Sequence, residues 1–265
     1  KRFTMMGLMD FMFSLGTFAA SFFVTLLYLV EHNWRLPIQV LAGAMAVLSC
    51  YTYLVARSQA KIISTTPKAE RKTLTFGVII KQPVFMFMAL LAFGYGAVEF
   101  GNANWFVSYA QNGIGFSGEQ SRNLLAFFTA GMVISRLVFP FLLRFLSVHR
   151  LIMFMATTSL IGLFVLKIMP SFYGIGAGNL LLGLGLGGLF PLMLSAAMNI
   201  DSDNGPVLSG IAIIGNSTGV QVASFSTGLW ANYAPLTTAF WVIPIGGCVL
   251  WLASYGFSRM LKLRQ

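Results

Sequence analysis

Runs of apolar residues long enough to span a lipid bilayer recur along this chain, and nothing else in it restricts the fold as strongly. A helix needs roughly 20 largely apolar residues to cross the hydrocarbon core. Between polar breaks, such runs fall at about 4–30, 36–56, 83–110, 122–143, 150–168, 172–198, 207–229 and 237–258. The chain therefore reads as an all-α polytopic membrane protein with about eight transmembrane helices. Composition agrees, because 57% of the 265 residues are hydrophobic and only 9% charged, where soluble domains carry about 25%. A water-facing surface cannot be made from so few charges, so lipid is the expected solvent. The 27 glycines suit it too, since glycine lets membrane helices approach closely.

A net charge of +10 would suit a nucleic-acid partner only if the basic residues gathered on a soluble face among exposed aromatics. Here they lie in the gaps between apolar runs, so no nucleic-acid partner is expected. Cys50 and Cys248 both sit inside runs, with no C-x-x-C spacing, and read as small core residues rather than a disulfide framework or a zinc site. The first run lacks the three-part organisation of a signal peptide and the chain opens on Lys1, so it reads as a span whose gene starts upstream.

Short turn-forming breaks make neighbouring spans antiparallel: Glu31-His32-Asn33, Gln111-Asn112-Gly113, Met169-Pro170-Ser171, Asp201 to Pro206, and Tyr233-Ala234-Pro235. The stretch from Arg57 to Gln82 differs, being long, polar and basic, and is the expected domain boundary. Basic residues near span ends mark the cytoplasmic side. Fourteen of the 17 fall on the side of both termini and that loop, leaving Arg35, Arg122 and Lys167 opposite. Both termini are therefore expected in the cytoplasm, with the protein in the cell's inner (plasma) membrane. Residues 1–56 would be the last two helices of an N-terminal bundle, 57–82 a basic cytoplasmic loop, 83–258 a six-helix C-terminal bundle and 259–265 a cytoplasmic tail. Two six-helix halves joined by a loop, with the first four helices absent, would give this layout.

Several stretches carry a family resemblance. Phe3-Thr4 through Ser14-Leu15-Gly16, and then Glu31-His32-Asn33-Trp34-Arg35, look like a fifth helix and the Trp-containing start of a sixth. Gly94-Tyr95-Gly96-Ala97-Val98-Glu99 followed by Asn104-Trp105-Phe106-Val107-Ser108-Tyr109 looks like a seventh. Gly131 with Arg136, Phe139, Leu142 and Arg144-Phe145, then His149-Arg150, looks like a degenerate loop motif between helices eight and nine. Together these resemble the major facilitator superfamily, in its fucose-permease-like proton symporter branch and TsgA-like proteins within it, beginning at the fifth helix. The resemblance implies a secondary transporter moving a small polar, sugar-like solute by alternating access, coupled to protons. It also implies that the missing N-terminal helices come from the same gene.

Two acids stand well inside spans, Asp10 and Glu99. A charge near the bilayer centre costs about 3 kcal/mol on insertion scales, so each is a candidate for proton coupling. Tyr95, Asn102 and Phe106 fall at i−4, i+3 and i+7 from Glu99, putting a phenol, an amide and an aromatic face on one stripe. The plainer role for Glu99 is a hydrogen bond between helices. Asp10 heads a stripe of Ser14, Thr17, Ser21 and Thr25, but lies about two turns from the cytoplasmic edge, where such residues also serve helix packing. Ser217, Gln221 and Ser224 share a helical spacing with Asn216 beside them, offering neutral donors and acceptors to a polar solute. The expected substrate-binding set is Tyr95, Asn102, Trp105, Asn216 and Gln221. Trp105 could offer a flat apolar surface, as could Tyr109, although both lie near the outer end of their span, where an aromatic belt would also place them. Arg122 and Arg136 read as snorkelling to the interfaces, with a carboxylate or phosphate clamp as their functional alternative.

The run Gly183-Leu-Gly185-Leu-Gly187-Gly188 before Phe190-Pro191 follows no strand and carries no phosphate-binding lysine, so it predicts close helix packing and a proline kink instead of a nucleotide loop. No cofactor or metal is implied, and no hydrolase motif supports an enzyme. Two rivals to the proton symporter stand: an uncoupled facilitator or exchanger of the same fold, and a non-transporting membrane sensor or scaffold.

Overall fold

The structure is a computed structural model that describes residues 35–63 and 81–263, with isolated positions 12, 15–16, 23, 27 and 77. Most of the expected span at 4–30, Asp10 included, lies outside the described residues. Two compact units divide the chain, Leu15–Thr73 and Lys1–Ser14 with Leu74–Gln265. Every described element is a helix.

In the first unit, α1 (Arg35–Ile63) carries Pro37 in its opening turn, where a missing N–H costs nothing. Its membrane-compatible stretch, Arg35–Ser58, is about 36 Å long at 1.5 Å per residue. Thr52 Oγ1 donates to the carbonyls of Leu48 and Ser49, both at 3.0 Å, which keeps its hydroxyl satisfied within its own helix. The helix continues past residue 56, into the basic stretch expected as loop.

The second unit holds six spans. Pro83 starts α2 (Pro83–Ser108), which widens into a π turn over Tyr109–Ile114 and stops at Gly115, whose φ of 96° suits a residue without Cβ. A reciprocal cap opens α3 (Gly118–Leu142): Gln120 N–H donates to Ser117 Oγ at 3.1 Å, and Ser117 N–H to Gln120 Oε1 at 3.0 Å. There follow α4 (Val148–Ile168), α5 (Phe172–Leu186), α6 (Leu189–Ile200), α7 (Gly205–Ala231), the single turn α8 (Leu236–Ala239) and α9 (Val242–Lys262). The pair α5–α6 makes one span interrupted at Gly187–Gly188, and α8–α9 makes another. Seven spans thus stand among the described residues.

The second helix packs along α7 and α9, α5 lies between α3 and α4, and α4 closes against α9. Small residues set these approaches. A Cβ at Gly183 would collide with the Phe128 carbonyl on α3, and one at Gly185 with the backbone of Ser159 on α4. The glycine run therefore lets two neighbours close on α5 from opposite sides, as the packing reading expects. Phe85, Phe106, Phe240 and Phe257 fill the interior, while Phe141, Phe154 and Phe225 stand exposed on the outside. Such an exterior is compatible with hydrocarbon. Cys50 and Cys248 correct the expectation of core residues, for both are exposed free thiols. In a protein with an apolar exterior, a weakly polar thiol costs little there.

Candidate functional site

Tyr95, Glu99, Asn102, Phe106 and Tyr109 recur at alternating spacings of four and three along α2 and into the π turn that continues it. That period keeps them on one face, and all but Glu99 are fully buried. Three of them find a partner of their own kind across the bundle. The Tyr95 ring lies 5.3 Å from Phe190 at the start of α6. Asn102 Nδ2 donates to Asn179 Oδ1 on α5 at 3.1 Å. Tyr109 stacks on Phe240, with centroids 4.1 Å apart and planes 17° from parallel.

Glu99 meets a charge. Its Oε1 lies 3.9 Å from Arg136 Nη2 on α3, with 14% of the Glu99 side chain exposed against 5% for Arg136. Arg136 therefore does not snorkel: it is drawn inward, and its Nε donates to the Gly187 carbonyl at 3.0 Å. That carbonyl is the one Pro191 cannot serve, since proline has no N–H to give four residues back. The interruption between α5 and α6 and the buried arginine thus satisfy one another, and Glu99 balances the guanidinium charge.

The other sequence-predicted residues lie elsewhere. Asn216 is half-buried on α7 where it crosses α2, so close that a Cβ at Gly96 would collide with its carbonyl. Trp105 is half-buried, its indole beside Gly228. Gln221 and Ser217 are exposed on α7, while Asn104 Nδ2 donates to Ser224 Oγ at 3.3 Å. The structure therefore turns Tyr95 and Asn102 toward α6 and α5 and Glu99 toward Arg136 on α3, and packs Trp105 beside α7, the helix that carries Asn216 and Gln221. Asn102 Oδ1, Asn179 Nδ2 and Asn216 Oδ1 are buried without a hydrogen-bond partner.

Tyr109 sits buried within the bundle and not in an aromatic belt, stacked on Phe240 and covered by Lys167. Lys167 Nζ lies 5.0 Å above the Tyr109 ring and 5.0 Å above Trp241, and donates to the Thr237 carbonyl at 2.6 Å. Arg122, by contrast, is exposed near the start of α3. Sequence reasoning missed Asn179 and Lys167 as site residues, and held a carboxylate clamp for Arg136 only as the alternative to snorkelling. A signal existed for Asn179, a buried amide in a glycine-rich apolar run, but none for its pairing with Asn102, which lies 77 residues away.

Among the described residues there is no cluster of side chains able to hold a metal ion. No curated protein matches the chain. Residues 1–219 match the family model of the Major Facilitator Superfamily, and the all-helical architecture with seven long apolar spans among the described residues is consistent with that family. The chain belongs to the major facilitator superfamily of membrane transporters.

Proposed function

We propose that the protein moves a small polar, sugar-like solute across the inner membrane by alternating access, driven by protons that bind Glu99. The observation that carries the reading is the contact between Glu99 and Arg136, with Arg136 also holding the Gly187 carbonyl at the interruption of the α5–α6 span. Protonation neutralises the carboxylate and removes its attraction for the guanidinium. Arg136 then has less to hold it between α2 and α3, and the interrupted span is freer to change its packing. A proton taken up from one side is thereby linked to a change in helix arrangement, and its release on the other side restores the contact.

The orphaned amide groups of Asn102 and Asn179 supply one acceptor and one donor inside the bundle, a pair that a solute hydroxyl satisfies. Asn216, with Trp105 and the exposed Gln221, extends the polar surface along α7. Asp10, expected on sequence to assist coupling, belongs to the proposal on that ground alone. The branch likeness to fucose-permease-like and TsgA-like symporters and the cytoplasmic position of both termini are part of the same reading.

The test is solute-induced proton influx into proteoliposomes containing the longest natural gene product, followed with an internal pH dye across monosaccharides and other small polar metabolites. A signal for one solute that disappears in Glu99→Gln, while exchange of that solute continues, is the expected result. Coupled uptake unchanged in Glu99→Gln would overturn the role of Glu99. A second reading has its own support, because an arginine beside the acid also suits a fixed structural ion pair. In that facilitator or exchanger, transport continues unchanged when the pH gradient is collapsed.

A further inference from the structure

A cavity of about 670 Å³ opens between the first turn of α4 and the last turns of α9. Its cations are Arg150, Arg259 and Lys262, with His149 beside them. No carboxylate lines it, and among the described residues none pairs with these three cations. Two polar atoms in its wall are buried without a partner, Ser258 Oγ and His149 Nδ1, and Ser258 is only 5% exposed. Three positive charges kept close together, with unsatisfied hydrogen-bonding groups beneath them, call for an anion with several acceptor oxygens.

The remaining lining is apolar. Met153, the Tyr255 ring and Leu263 share the cavity with the cations, and Tyr255 stacks on Trp251 at a centroid distance of 6.2 Å. A free anion has no use for such a wall, whereas a molecule with a phosphate at one end and hydrocarbon at the other matches both parts. The position matches as well, since the ends of membrane helices meet lipid headgroups, and basic pockets between spans suit anionic ones. We propose that this cavity binds the headgroup of an anionic phospholipid, its phosphate between Arg150, Arg259 and Lys262 with Ser258 donating from below, and its glycerol and upper chains against Met153 and Tyr255. A lipid seated there ties the start of α4 to the end of α9, two helices already packed together.

The test titrates the purified full-length protein in neutral detergent with phosphatidylglycerol or phosphatidylcholine and counts retained lipid by native mass spectrometry. Wild type is expected to prefer phosphatidylglycerol, and Arg259→Gln with Lys262→Gln to weaken that binding about 20-fold. Ser258→Ala leaves every charge in place and should weaken it about threefold through the lost hydrogen bond. Lys81→Gln with Arg144→Gln removes two charges at exposed positions outside the cavity and should keep the preference. Phosphatidylglycerol should also raise the thermal midpoint of wild type but not of the cavity variants. Should the double variant fail to unfold cooperatively, Ser258→Ala decides the matter by itself. Equal retention of both lipids by wild type, or equal loss in the Lys81 and Arg144 control, would overturn the proposal. Displacement of bound phosphatidylglycerol by millimolar inorganic phosphate would reassign the cavity to a free anion and overturn it as a lipid site.

Discussion

Arg136 is the residue whose environment says most about this protein. A guanidinium with 5% of its side chain exposed is stable only if its charge and its donors are answered, and Glu99 and the Gly187 carbonyl do this from two different helices. Removing one member of a buried pair is costlier than removing both. Arg136→Met should therefore lower stability by about 3–5 kcal/mol, and combining it with Glu99→Gln should recover most of the loss; thermal unfolding of the four proteins in detergent measures the coupling. If the single and double variants lose equal stability, the two side chains are not energetically linked. The Asn102–Asn179 bond follows the same logic at smaller scale. Asn102→Leu strands the Asn179 amide and should cost about 1–3 kcal/mol, whereas replacing both by leucine should cost less, as the same unfolding measurement would report. Glu99 was legible in the sequence because an acid inside a span is conspicuous. Arg136 was not, because a long cation near a helix end can reach water by bending outward, and only the neighbouring helices show that it turns in.

At the level of elements, the α5–α6 interruption is where local sequence and tertiary contact meet. Pro191 leaves the Gly187 carbonyl without its helical partner, and Arg136 supplies the donor. Pro191→Ala restores an N–H that competes for that carbonyl. The expected result is a higher thermal midpoint with slower solute exchange, and a faster exchange rate would show that the interruption is not used in transport. The glycines of the same segment act by absence of volume. Gly183→Leu must push α3 away from α5, since even a Cβ there collides with the Phe128 carbonyl. It should abolish recovery of monodisperse protein in size-exclusion chromatography, while Gly210→Ala, at a position with open space around the missing Cβ, should behave as wild type. Proline and glycine made the interruption readable from sequence. Which helices close on which face of α5 was not, because contact partners lie tens of residues apart and an apolar stripe carries no address.

For the whole molecule, the sorting of basic residues predicts one orientation in the bilayer, with Thr73 and Gln265 on the cytoplasmic side and the turn at Asn112 on the other. Single cysteines introduced at these positions, in a background where Cys50 and Cys248 are replaced by serine, test it with a membrane-impermeant maleimide. Intact cells should label the Asn112 position, and inside-out vesicles the other two; labelling of all three from one side would contradict the antiparallel arrangement of the spans.

Sequence by itself determined that this chain lives in lipid, that within the described residues its apolar helices fall at nearly the positions found, and that Glu99 lies on a polar stripe along one of them. Those properties depend on hydrophobic run length and on helical periodicity, which are local and can be counted along the chain. Tertiary structure alone decided that Arg136 turns inward to Glu99, that Asn102 meets Asn179, that Lys167 lies over the Tyr109 ring, and that the cations near the start of α4 and the end of α9 share one cavity. Each of these joins residues from different helices. In a bundle whose helices are apolar on nearly every side, the choice of neighbour rests on the fit of small and large side chains between helices, a property of pairs of surfaces that no single segment contains.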